Sequence, residues 1–215
     1  MVKSNYEVTR DRTELRFLEY DQQKMIEKFH LEHDTHYLYL KFVGRDYRID
    51  RETGRIEWTE DAFSHVEHAG FNEVLSICDV LCDSKENCHL SGRFVKVNNL
   101  RGTVRSSGLG DDLYGNYTRY FDTRTPALRK ACEALGGEKQ RIGDVSYLLH
   151  PFPFLPLVLQ FWESDEEFPA SLKIMWDENT LDFLRYETTY YVVGHVLDRL
   201  KELMGSCDNQ EPSAI

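Results

Sequence analysis

The sequence predicts an α+β protein with a mainly antiparallel sheet, flanking helices, and long amphipathic helices near both ends. Three observations carry this. Segments of two-residue alternation follow one another closely, separated by hairpin turns. Helix-period segments lie at the start, in the middle and at the end instead of alternating regularly with strands, which argues against βαβ units. No low-complexity stretch divides the 215 residues, so one α+β domain is expected over 1–205, with a polar, disordered tail at 206–215.

Ser4 and Glu7 fit a capping box. Leu15, Leu18, Met25, Ile26 and Phe29 then recur at helical spacing, predicting one helix over about 5–30. In "HYLYLKFV", Tyr37, Tyr39, Lys41 and Val43 alternate with Leu38, Leu40 and Phe42, as in a strand. "RETGR" reads as a turn with Gly54 at positive φ, joining strands at 47–50 and 55–58. Val74, Ile77, Cys78 and Leu81 share one helical face. "GRFVKVNN" is strand-like, and Thr125 as N-cap with Pro126 at the first helical position opens a helix that stops at Gly136 and Gly137. "DVSYLLH", "LPLVLQFW" and "SLKIMW" form three successive strands. A last helix over about 187–204 places Val192, Val193, Val196, Leu197, Leu200 and Leu203 on one face.

The 41% hydrophobic content suffices for a sizeable core. No apolar run approaches the ~18 residues of a membrane span. The N-terminal stretch lacks an apolar signal segment, and five cysteines, an odd number, suit a reducing compartment; a cytoplasmic location is expected. A net charge of -11 disfavours phosphate backbones, so no nucleic-acid partner is expected, and "RFVKVNNLRGTVR" reads as a strand with solvated basic residues.

"SNYEVTRDR", "YRIDRETGRIEW", "SGLGDDLYG" and "FPFLPLVLQFWESDEEFPASLKIMWDENTLDFL" resemble the bacterial and archaeal family known as domain of unknown function 3786, over nearly the whole chain. The resemblance implies an association with anaerobes and, for some members, a neighbouring iron–sulfur domain. It implies no assigned activity. The chain lacks the CxxC-rich segment of the fused members. A redox-protein or small-molecule partner fits that setting, and no particular cofactor is implied.

Candidate sites follow from residue chemistry. In the loop from Gly108 to Gly115, Gly108 and Gly110 permit close backbone approach, and Ser106 and Ser107 offer hydroxyls. Asp111 and Asp112 add charge that would suit a divalent cation or a general base. No Gly-Lys-Ser/Thr follows, so this is not a P-loop. A turn with an aspartate N-cap is the plainer alternative. In "HPFPFLPLVLQFWESDEEFPASLKIMWDEN", both faces of the first strand are apolar, so the stretch is mainly core, with an aromatic end near a cleft. Trp162 and Trp176 are expected near facing strand ends, as an apolar wall shared with the glycine loop. The best-supported expectation is a cofactor-binding, small-molecule-binding or interaction module. The alternative is a metal-assisted enzyme using Asp111 or Asp112 with Asp177.

Cys78, Cys82 and Cys88 match no common metal spacing, and Cys78 and Cys132 fall on apolar helix faces. His30, His33 and His36, and the pair His65 and His68, read as exposed polar residues in preference to zinc ligands. His195 reads as a helix-surface residue beside Arg199.

Overall fold

The computed structural model describes residues 3–103 and 114–208, with side chains through residue 206. In chain order the elements are α1 (Asn5–Phe17), α2 (Gln22–Phe29), β1 (Glu32–His33), β2 (Tyr37–Phe42), β3 (Arg45–Asp50), β4 (Ile56–Thr59), β5 (Glu67–His68) and α3 (Phe71–Asp83). They continue with β6 (Phe94–Lys96), α4 (Gly115–Phe121), α5 (Thr125–Ala134), β7 (Glu138–Lys139), β8 (Val145–Phe152), β9 (Leu155–Trp162), β10 (Ser171–Asp177) and α6 (Tyr186–Asp208). The strands form two five-stranded sheets, ordered β1-β2-β3-β4-β5 and β6-β10-β9-β8-β7, and every pairing whose register is given is antiparallel. The fold is therefore α+β, with two antiparallel sheets, flanking helices, and a long helix near each end.

The residues group into two compact units. Unit 1 comprises Met1–His89, Pro151–Phe154 and Leu181–His195; unit 2 comprises Leu90–His150, Leu155–Thr180 and Val196–Ile215. Each draws on three separate stretches, so no single cut of the chain isolates either.

In unit 1 the capping box forms as expected: Ser4 N–H donates to Glu7 Oε2 at 2.7 Å, and Glu7 N–H donates to Ser4 Oγ at 3.3 Å. The helix ends at Phe17 instead of running to about 30. Asp21 starts a second helix, its Oδ1 accepting the N–H groups of Gln23 and Lys24, which a continuous helix would have spent on carbonyls. Leu15 and Leu18, expected on the buried stripe, are 61% and 37% exposed, while Glu14 and Phe17 are buried. Glu14 Oε1 accepts from Ile56 N–H at 2.9 Å and contacts His68 Nε2 at 2.8 Å, which joins α1 to β4 and β5. Gly54 turns the β3–β4 hairpin at φ +74, and a Cβ there would meet the Glu14 carbonyl oxygen at 2.0 Å. Conformation and space both demand glycine. Val74, Ile77, Cys78 and Leu81 of α3 are buried as expected, and α1 packs on this helix.

In unit 2, β9 is the middle strand and is buried on both faces except at Trp162. The expected strand at 92–99 shortens to Phe94–Lys96, because β6 meets β10 over three residues and the chain then turns as a short 3-10 helix, Val97–Asn99. Thr125 is the first helical residue of α5 and Arg124 its cap, one position earlier than expected. Leu159 pairs with Ile174; Leu159 is fully buried, but Ile174 is only half-buried because β10 lies one strand nearer the sheet edge. The continuous helix α6 contributes residues 186–195 to unit 1 and the rest to unit 2. Val192, Val193, Val196, Leu197 and Leu200 are buried and Leu203 half-buried. Residues 209–215 of the expected tail lie outside the described residues.

Candidate functional site

A cleft of about 510 Å³ opens in unit 1 beside β2. Its origin is local. Along β2, Leu38, Leu40 and Phe42 are buried while Tyr39 and Lys41 point the other way. The β2–β3 connection is the two residues Val43 and Gly44, at φ 47 and 77, the conformation of a tight hairpin whose twist matches its strands. Glycine takes such a φ freely, and valine does not. Val43 is held there by burial and by its N–H, which donates to Pro151 O at 2.8 Å.

At the other end of β2, Asp34 N–H donates to Tyr37 O at 3.0 Å, and Glu32 pairs with Tyr39. The next ladder position would set His30 against Lys41. His30 is instead the left-handed C-cap of α2, at φ 52, with its N–H donating to Ile26 O. The edge strand thus peels away at this point, and Phe29, His30, Leu31 and Glu32 become one side of the cleft. Pro153 and Phe154, Ala62 and Phe63, and Tyr39 to Lys41 supply the others, with the buried Tyr47 beneath.

Aromatic rings continue from the cleft wall into the interior of unit 1. Phe29 stacks on Phe154 at 4.3 Å between centroids, Phe154 on Phe152 at 5.6 Å, Phe152 tilts against Phe42 at 4.6 Å, and Phe42 stacks on the His195 ring at 5.0 Å and 5°. Such offset contacts stiffen a wall beyond what burial alone provides. On the opposite side, Phe63 lies edge-on to Tyr39 at 5.7 Å and accepts the Arg48 guanidinium over its ring at 5.2 Å. Lys41 and Asp46 pair at the rim, 2.5 Å apart. Five described non-glycine residues have positive φ, and three of them, His30, Ala62 and Phe63, line this cleft. Backbone strain of this kind concentrates where a surface is shaped for binding.

Beneath the floor lies a buried polar group. Tyr47 Oη donates to Glu73 Oε1, Gly70 N–H donates to Glu73 Oε2 at 2.5 Å, and His195 Nε2 lies 3.5 Å from Tyr47 Oη and 3.8 Å from Glu73 Oε1. Glu73 sits in the first turn of α3, where a carboxylate also meets the positive end of the helix. Tyrosine, carboxylate and imidazole here bind β3, α3 and the first turns of α6 together and fix the cleft floor. Tyr47 is fully buried, so its chemistry is that of a positioning group.

Of the residues singled out in the sequence, Ser106, Ser107, Gly108, Gly110, Asp111 and Asp112 lie outside the described residues; Gly115 begins α4. Trp162 and Trp176 are not neighbours. The β9–β10 register sets Trp162 against Ser171 and Trp176 against Leu157. That places them five pairs apart, roughly 17 Å along the hairpin, because antiparallel pairing sets the end of β9 against the start of β10 and Trp176 lies near the end of β10. Trp176 is core, at 1% exposure, and Trp162 is half-buried with the Lys173 ammonium 4.3 Å from its ring centroid. The two form no shared wall.

Asp177 is fully buried. Its Oδ1 accepts from Ser91 N–H and Asn179 N–H at 3.0 and 2.9 Å, and its Oδ2 from Gly92 N–H and Ser91 Oγ at 2.8 and 3.2 Å. Four donors occupy the carboxylate's lone-pair directions, so it ties residues 91–92 to the end of β10 in unit 2. Chemistry at a metal would require undoing that lock.

Cys78, Cys82, Cys88 and Cys132 are free thiols. Donation of the Cys78 thiol's hydrogen bond to Cys82, and then burial, push the Cys78 thiol well up, and burial pushes Cys132 up to about 12. Both are inert as thiolates at neutral pH. Among the described residues, no group of three or more His, Cys, Asp or Glu side chains is gathered as metal ligands. His30, His33 and His36 fall on a helix cap, a short strand and a turn. His65 is exposed, as expected, on a loop against Asp61, whereas His68 is half-buried on β5, bound to Glu14. His195 was missed as a site residue, although an imidazole directly followed by Val196 and Leu197 on an apolar stripe was the available signal. The cleft was missed too, yet the "PFPF" turn supplies Pro153 and Phe154 to it. No helix among the described residues is long and apolar enough to cross a membrane.

No curated protein and no solved structure matches the chain. The family model described as Domain of unknown function (DUF3786) matches residues 21–199, which spans β2, the strained cleft walls, both sheets and the first turns of α6, and the chain belongs to that family.

Proposed function

We propose that the chain is a small-molecule-binding module whose pocket is the unit 1 cleft beside β2. The observation that carries this is the coincidence, in one cavity of about 510 Å³, of a stacked aromatic wall and three strained backbone positions. Pockets of a few hundred Å³, mainly apolar with a few polar groups at the rim, suit flat ligands of drug-like size. Phe154 and Phe63 offer ring faces and edges, while Glu32, Lys41 and Asp46 hold the polar rim. A small molecule remains the class of partner expected from the sequence, and the pocket is assigned here to the β2 edge.

Quinoline, a flat bicyclic aromatic, is a suitable probe. Its titration into nitrogen-15-labelled protein should move the amide signals of Leu31, Glu32, Tyr39 and Phe63, and Phe154→Ala should weaken binding severalfold. Signals that shift only elsewhere, or none that shift, would remove the cleft from consideration.

A further inference from the structure

We infer that the cleft recognises a cyclic amide, a ring bearing N–H beside C=O such as a lactam, an imide or a nucleobase-like heterocycle, through the main chain of Lys41. This rests on the cleft being the binding pocket and adds the class of ligand.

Register supplies the evidence. In an antiparallel strand, alternate residues point their N–H and C=O to opposite neighbours. Tyr37 O accepts from Asp34, and Val43 N–H donates to Pro151, both on the side away from β3. Tyr37, Tyr39, Lys41 and Val43 therefore all face that side. Tyr39 is met there by Glu32. Lys41 would be met by His30, but His30 has turned its N–H to Ile26 O as the cap of α2. Among the described residues, the Lys41 main chain has no partner on this side. Its N–H and C=O thus stand side by side at a place where His30, Leu31, Glu32, Tyr39 and Lys41 all line the cleft.

The chemistry of the ligand follows. A donor and an acceptor a few ångströms apart on one extended residue are complemented by an acceptor and a donor on one planar group. A cyclic amide presents that pair on the edge of a flat ring, and its faces suit the Phe29–Phe154 wall. An added peptide strand fits less well. Glu32 blocks the ladder on one side and Pro151 on the other, leaving one bonding position, whereas strand addition draws its affinity from several successive main-chain bonds.

The test compares 2-quinolone, N-methyl-2-quinolone and quinoline against the labelled parent protein, with Lys41→Ala and Lys41→Pro as variants. Alanine keeps the main chain. Proline removes the N–H and fixes φ, at an edge position where no ladder bond is lost. Expected are a pronounced shift of the Lys41 amide with 2-quinolone, about tenfold weaker binding after N-methylation, parent-like preference in Lys41→Ala, and, in Lys41→Pro, weaker binding of both quinolones with the N-methyl difference retained, because the residue-41 C=O still accepts the ring N–H while the ring C=O has lost its donor. Because the N-methyl comparison uses the parent, it decides the matter even if the proline variant does not fold. Equal binding of all three compounds with shifts around the cleft would overturn amide recognition and leave the pocket standing. Absence of cleft shifts with every compound would overturn both.

Discussion

The two sheets have the same number of strands and the same antiparallel plan, yet they are built from different sequence. In unit 2, β9 is apolar on both faces and sits at the centre, with Leu155, Leu157, Leu159 and Phe161 fully buried. In unit 1, β2, β3 and β4 bury one face and cover the other with Tyr39, Lys41, Arg48 and Glu57. Arg48 spends two N–H groups on Glu57 Oε2 and lies over the Tyr37 ring at 4.5 Å. The first sheet along the chain is thus short-stranded, edge-rich and strained, and it carries the cleft. The second holds its polar residues in closed locks such as Asp177. Strain and an open ladder position are tolerable where a surface is half-solvated, and costly in a strand buried on both faces.

Substitutions can break or sharpen that contrast. The largest effect is expected in unit 2: Leu159→Ala should cost about 2–5 kcal/mol, and its half-buried partner change Ile174→Ala markedly less. Equal shifts in denaturant midpoint would show that the two β9–β10 neighbours are buried alike. Next comes Gly54→Ala in unit 1, where positive φ and a clash with the Glu14 carbonyl should cost about 1–3 kcal/mol. Gly92→Ala also lies at positive φ, but a Cβ there meets open space, so it should cost less. If thermal melts ranked the two the other way, the close approach of α1 to the β3–β4 turn would be wrong.

Asp83 gives a pH-dependent comparison within unit 1. Burial acts to raise its carboxyl, but hydrogen bonds from Tyr20 and Arg16 and the charges of Arg16 and Arg185 outweigh it, leaving the group below its usual range. A lowered folded-state value means that the contribution is present above the unfolded value of about 3.9 and is lost as pH falls through the folded one. Asp83→Asn should therefore cost about 1–3 kcal/mol at pH 7, with the gap to the parent closing below about pH 4. A gap that stays constant in acid unfolding curves would exclude the ion cluster as its source. The smallest effect is expected at Ala62, where glycine relieves φ 55 at an exposed position. Ala62→Gly should raise stability by less than ~1 kcal/mol, and a lower melting temperature would show that the strain is not intrinsic to that backbone.

The difference between the sheets also explains what could be read in the sequence. β8, β9 and β10 were legible because continuous apolar runs bounded by proline and acidic turns admit few arrangements. The Gly54 hairpin and the α3 face were legible for similar local reasons. The break between α1 and α2 was not, since Leu15 and Leu18 kept the helical period while lying on an exposed face, and Asp21 as a cap competes with that period at one position only. The cleft depends on partners distant in sequence. Phe154 meets Phe29, His195 meets Phe42, and His30 leaves the ladder for a helix cap, a choice between two valid hydrogen-bonding states that no alternation pattern records. The distance between Trp162 and Trp176 is likewise set by pairing register, in which Trp162 faces Ser171 and Trp176 faces Leu157.

The stack from Phe29 to His195 has a consequence for the order in which the protein is made. Tyr47 and His195 stand 148 residues apart. At about 5–20 residues per second, a ribosome needs roughly 7–30 s to extend the chain from one to the other. Until Phe152 has been made the inner faces of β2 and β3 lack its ring, and until His195 they lack the α6 imidazole that stacks on Phe42. A nascent chain holding α1 to α3 is therefore an unfinished sheet with an exposed aromatic face. Its protection during synthesis depends on holding chaperones or on the polarity of its own outer face, not on the core that the finished protein possesses.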